Sequence, residues 1–138
     1  MDPVVIFGPV LALVGLTFLV LLRIPFVRIR AALAKRVVID DFRLGESPLV
    51  PADVALPNRN YMNLLELPLL FYMLAISLFV TRHVDATQLT LAWLYVGLRV
   101  GHSLVHLTYN GVLHRLLLFA TSNVVLAVMW TLFGTSLI

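Results

Sequence analysis

Residues 59–80 read RNYMNLLELPLLFYMLAISLFV. Arg59, Asn63 and Glu66 stand at i, i+4 and i+7, which puts them on one face of a helix. From Leu67 to Val80 no charge appears, and the apolar segment taken from about Pro57 to Val80 is long enough to cross a hydrocarbon core of ~30 Å. An ionisable residue at the centre of a membrane helix costs roughly 2.5–3.5 kcal/mol. Such residues therefore turn toward a bundle interior or a wet cavity, and they mark functional sites. A second stripe follows in the next apolar segment, where Arg99, His102 and His106 stand at i, i+3 and i+7.

The whole chain shares this apolar character. Of its 138 residues, 61% are hydrophobic, well above the roughly 45–50% of soluble domains, and the mean hydropathy is +0.99. A small domain in water cannot bury so much apolar surface, so the composition predicts an all-α polytopic membrane protein. There is no cysteine, which excludes a disulfide framework and any Cys-based metal or redox site. The net charge of +3 does not point to nucleic acid, because the basic residues concentrate in one loop.

Four spans can be drawn, at about 4–22, 57–80, 86–108 and 112–138. Asp2 without a basic residue beside it argues against a cleaved leader, so the first run is expected to stay as a span. Pro57 suits a first helical turn, Asp85 an N-cap, and Asn110-Gly111 a stop and turn. The polar loop at about 23–56 starts as an amphipathic continuation of the first span and then becomes irregular through Gly45, Pro48 and Pro51. It is expected to be a solvated connector. Arg23, Arg28, Arg30, Lys35, Arg36, Arg43 and Arg59 flank or fill it, against Arg82 alone on the other side. The positive-inside rule then puts the loop in the cytoplasm and both termini outside. On that topology Arg59, Arg99, His102, His106 and Arg115 converge toward one membrane level.

The residues alone leave three readings of this convergence. Arg59 and Glu66 can form a buried ion pair, with His102 and His106 bonded to carbonyls as core histidines. The mixture of Arg, Glu, Asn and His also suits a zwitterionic ligand, since Arg offers forked donors to a carboxylate and Glu accepts from an ammonium. The i, i+4 spacing of His102 and His106 can hold a metal ion, with Glu66 or His114 completing it, but the acidic motif that usually accompanies such a pair is missing. No metal is expected. There is no G-x-S-x-G, P-loop or dinucleotide fingerprint.

The run from Arg59 to Pro68 resembles the second-helix pattern R-x-x-x-N-x-x-E, followed by Pro, of the MAPEG family (membrane-associated proteins in eicosanoid and glutathione metabolism). Arg59, Asn63, Glu66 and Pro68 carry it. Arg99, His102 and the position of His106 are similar to the R-x-x-H-x-x-x-Y run of the prostaglandin E synthase branch, and Arg115 falls where that branch has its thiolate-stabilising arginine. Asn60 to Tyr72 and the Leu107 to Asn110 turn resemble a bacterial subgroup, which implies the bacterial inner membrane.

The resemblance implies a four-transmembrane-helix bundle assembled as a homotrimer. It implies glutathione as cofactor between subunits, held by Arg59, Asn63, Glu66, Arg99, His102 and His106, with Arg115 as the catalytic group. The implied function is a glutathione-dependent transferase or peroxidase acting on a lipophilic electrophile, with membrane lipids and a hydrophobic small molecule as partners. Leu67, His106, Leu116 and Phe119 stand where the family often carries tyrosine, another polar residue or serine. These differences keep open a non-catalytic lipid-binding or scaffold role.

Overall fold

The computed structural model describes Met1–Ile138 and contains helices and no strand. A short 3-10 turn, Pro3–Ile6, leads into α1, Phe7–Leu33. Asp2 starts the turn by accepting a hydrogen bond from the Val4 amide at 3.0 Å. Then come α2, Ala52–Leu65, α3, Pro68–Thr81, α4, Ala86–Leu107, and α5, Val112–Ser136.

The ends of these helices follow residue chemistry. Lys35 takes φ 56° just past α1, and the amides of Lys35 and Arg36 close back on the carbonyls of Ala32 and Ala31. This is a Schellman stop that uses lysine where glycine is usual. Asp85 caps α4 by accepting from the Gln88 amide at 2.7 Å, as its position predicts. Asn110 adopts φ 49° between α4 and α5, and Gly111 precedes the first turn of α5, so the expected turn forms there.

The second span differs from the sequence expectation in two ways. It begins at Ala52 rather than near residue 57, so Pro57 lies inside α2 and not at its first turn. It is also not one helix. Glu66 has ψ −95°, and a new helix starts with Pro68 at its first position. Proline has no N–H for the Leu64 carbonyl, and its ring crowds that carbonyl, so the helix must break or kink before it.

Three stretches are long and apolar enough to cross a membrane: Pro3–Leu33, Ala52–Thr81 and Val112–Ser136. α4 has 22 residues, ~33 Å of helix, but Gln88, Arg99, His102, Ser103 and His106 dilute its apolar character. These polar residues all lie on its buried face. The bundle is therefore polar where α4 faces inward and apolar outside. Leu11, Phe18, Leu19, Leu22 and Phe26 of α1 are exposed, as are Val124 and Val128 of α5, as a lipid-facing surface requires.

The main core joins Leu13 and Val20 of α1, Phe71, Leu74 and Leu78 of α3, Tyr95 and Val96 of α4, and Leu126 and Met129 of α5. Gly8 brings α1 close to α4, where an added Cβ would meet the Trp93 ring at 3.3 Å. A second, smaller cluster of Ala31, Val37 and Val54 ties the connector to α1 and α2. The connector is bound to the helices rather than free. Arg28 pairs with Glu46 at 2.9 Å and lies over the Phe42 ring. Arg36 makes a two-pronged bond to Asp53 at 2.8 and 3.0 Å.

Candidate functional site

α2 carries Arg59 and Asn63, α4 carries His102 and His106, and α5 begins with Arg115 near its start. Asn110 sits in the turn between α4 and α5. All six line one cavity of about 480 Å³. The walls between them are apolar, formed by Leu56, Val112, Leu116 and Phe119. No acidic side chain faces this space, so two guanidiniums give it a positive character.

The two histidines are nearly fully buried, 3% exposed at His102 and 2% at His106. Their rings stand perpendicular with centroids 5.7 Å apart, and His102 also lies against Phe119. Neither ring nitrogen of His106 has a hydrogen-bond partner. Buried polar atoms are normally paired, so His106 offers a donor and an acceptor to whatever enters the cavity. No group of three or more His, Asp or Glu side chains forms anywhere in the chain. His102 and His106 therefore remain a pair without a third ligand, and His114 turns away to bond the Tyr109 hydroxyl at 2.9 Å.

Arg115 is positioned by the turn. Its Nη1 donates to the Asn110 Oδ1 at 2.7 Å, and the left-handed backbone of Asn110 aims that oxygen. The other N–H groups of Arg115 have no protein acceptor. Arg59 makes no ion pair, because only Arg28–Glu46 and Arg36–Asp53 form in the chain.

Arg99 does not line the cavity. It is fully buried directly behind it, with the guanidinium carbon 5.1 Å from the Phe119 ring centroid and 5.3 Å from that of Tyr95. Its Nε donates to the Tyr95 hydroxyl at 3.2 Å and its Nη2 to the Asn123 Oδ1 at 3.1 Å, while Nη1 lacks a partner. Tyr95 stacks on Phe71 at 4.8 Å, which fixes this network to the core.

Glu66 is the residue that the geometry separates from the rest. The expected stripe of Arg59, Asn63 and Glu66 needs a continuous helix, but α2 ends at Leu65. Glu66 is exposed at the break and pairs with nothing. The Arg59–Glu66 ion pair is thus absent, and within one protomer the cavity lacks its carboxylate.

Sequence reasoning missed several polar partners. Asn60 is fully buried, and its Oδ1 accepts from the Ser103 hydroxyl at 3.3 Å between α2 and α4. Asn123 and Tyr95 hold Arg99, and Asn110 holds Arg115. Spacing could have found Ser103, which lies four residues after Arg99 on the same face. Nothing in the spacing of α2 favours Asn60 over Arg59 as the inward residue.

The MAPEG family pattern matches residues 6–135, nearly the entire chain. No curated protein and no solved structure matched. With its long apolar helices and its inward-facing polar helix α4, the chain is an integral membrane protein and belongs to the MAPEG family.

Proposed function

We propose that this protein is a four-span homotrimer that conjugates or reduces a lipid-soluble electrophile with glutathione. The observation that carries the proposal is the cavity itself. Residues from α2, α4, α5 and the α4–α5 turn meet there, with two guanidiniums, two imidazoles and no acid. Glutathione at reaction has two carboxylates and a thiolate against one ammonium, so its charge balance fits such a lining. Arg59 and Asn63 hold its carboxylate and amide groups. Arg115 faces the sulfur: a thiol of pKa ~8.5 is more reactive at neutral pH once a cation stabilises its thiolate. The thiol proton leaves to solvent as the thiolate forms. The thiolate then attacks the electrophilic carbon, either displacing a leaving group or adding to an activated double bond whose other end takes a proton from solvent. In the reductive case two glutathiones become a disulfide as a hydroperoxide becomes alcohol and water.

The ammonium needs a carboxylate, and Glu66 is exposed one turn away. In a trimer Glu66 supplies that group at the contact between protomers. Leu116 and Val112 are exposed at the cavity rim, which opens it to a substrate dissolved in the bilayer. The basic connector lies in the cytoplasm of a bacterial inner membrane, with both termini outside, and α4 completes four spans because its polar face is turned inward.

Leu116 and Phe119 support a second reading. They make the wall beside Arg115 apolar, which suits a non-catalytic protein that holds a lipid or serves as a scaffold. Calorimetry with glutathione, a thiol-conjugation assay on a generic electrophile, and native mass spectrometry separate the two. The enzyme reading expects glutathione binding, turnover that depends on Arg115 and a trimeric mass. No binding at millimolar glutathione together with no such turnover would leave the lipid or scaffold role.

A further inference from the structure

A second basic depression lies between α1, α2 and the end of α4, separated from the cavity above by Leu56, which lines both, and edged by the mutually paired Arg36 and Asp53. Arg23 and Arg30 are seven residues apart, on one face of α1 with Val27 between them. Both are exposed and neither has an ion-pair partner, although nearby Arg28 and Arg36 are each matched to an acid. Arg23 and Arg30 line a pocket of about 390 Å³ closed by Pro57 and Thr108. This pocket is continuous, through Arg23, Phe26 and Leu107, with an apolar groove of about 490 Å³. The groove runs along α1 past Leu19 to Leu16 and is walled by Leu104 of α4.

The lengths fit a lipid. Leu16 to Arg23 spans ~10 Å of helix, inside one leaflet of a hydrocarbon core ~30 Å thick. Arg23 to Arg30 extends a further ~10 Å toward the headgroup layer. We propose that this groove is a binding site for an anionic phospholipid, with the phosphate between Arg23 and Arg30 and one acyl chain along Leu16, Leu19 and Leu104. Charge complementarity selects the headgroup, because unpaired guanidiniums beside a membrane are drawn to anionic lipid and bind phosphate by two-pronged hydrogen bonds. The site is independent of what fills the cavity between α2, α4 and α5.

The test is native mass spectrometry of the full chain reconstituted in nanodiscs of equal parts phosphatidylglycerol and phosphatidylcholine. Phosphatidylglycerol is expected to be retained preferentially. Arg23→Gln with Arg30→Gln should lower its retention by about thirtyfold, the scale set by two juxtamembrane guanidiniums. Lys35→Gln with Arg43→Gln removes the same charge outside the pocket and should leave retention unchanged. If the first pair fails to fold, Arg30→Gln alone serves, since Arg30 is exposed and its side chain bonds to nothing. Equal retention of the two lipids, or equal loss in the two pairs, would overturn the proposal in favour of diffuse attraction. Displacement of the lipid by inorganic phosphate would overturn it in favour of a free-anion site. The chain has no cysteine, so Phe26→Cys can report crosslinking between copies, and efficient crosslinking would mean that a second copy covers the groove.

Discussion

Arg99 is a full charge buried in the bundle with an incomplete set of partners, and Asn123→Leu tests what holds it. The substitution removes the oxygen that accepts from Nη2 at 3.1 Å. Nη1 already has no partner, so Tyr95 alone would remain. A hydrogen bond to a charged group contributes ~1.5–3 kcal/mol, while interhelical bonds in a bilayer average ~0.6 and reach ~1.7 kcal/mol. The charge of the buried Arg99, set against the half-buried Asn123 that accepts from it, places this bond where the two ranges meet. The expected cost is ~1.5 kcal/mol, about tenfold in the folding constant. Arg99→Met removes the charge and fills the same space, and replacing a buried ionic group with apolar volume is often neutral or stabilising. Asn123→Leu should then cost nothing in the Arg99→Met background. Reversible SDS denaturation in mixed micelles, followed by far-ultraviolet circular dichroism, measures all four proteins. Equal costs in the two backgrounds, within the ~0.5 kcal/mol of ordinary additivity, would refute the reasoning.

Arg115→Ala should depress the chemical step of conjugation more than glutathione affinity, because thiolate charge must be held for attack; stopped-flow kinetics beside calorimetry resolves the two. Glu66→Gln should mainly weaken glutathione binding by leaving the ammonium without a counter-charge, and unchanged affinity by calorimetry would remove Glu66 from the site. Reporter fusions after Arg43 and after Ile138 should report opposite sides of the membrane, and agreement between them would sink the topology. Elemental analysis of purified protein should find no stoichiometric metal, whereas about one ion per subunit that His106→Ala removes would reinstate the two histidines as ligands.

Where local chemistry decides the outcome, the sequence is a good guide. Asp85 starts α4 and Asn110 stops it, because a short polar side chain at a helix end acts within a few residues of itself. The meeting of Arg59, His102, His106 and Arg115 is legible for a different reason. Each polar group in an apolar helix must face inward, and the loops set which end of each helix lies level with the others. Glu66 shows the limit. Helical spacing links it to Arg59 only while the helix continues, and Pro68 ends that continuity two residues later. The proline was visible; what it does to the preceding turn depends on how α3 packs its own Phe71 and Leu74 into the core. Asn60, Asn123 and Asn110 were invisible as partners because each acts across a helix–helix contact or a turn, and one-dimensional spacing does not report such contacts.

The break at Glu66–Leu67 divides a span into two parts with different anchors. α3 is fastened through Phe71, Leu74 and Leu78 to the main core. α2 is held at its far end by Val54 in the small cluster and by the Arg36–Asp53 pair. Arg59 and Asn63 lie between the joint, where Leu64 enters the main core, and that far fastening, like a beam resting on three supports, the middle one being the Asn60–Ser103 bond to α4. One support is made partly by the connector, and its ion pair is exposed, a kind of contact worth only ~0–1 kcal/mol and weakened by salt. A tilt of this beam changes the gap between Arg59 and Arg115 while α3 stays in place. The loop outside the bilayer is therefore part of the frame that sets the width of the cavity within it.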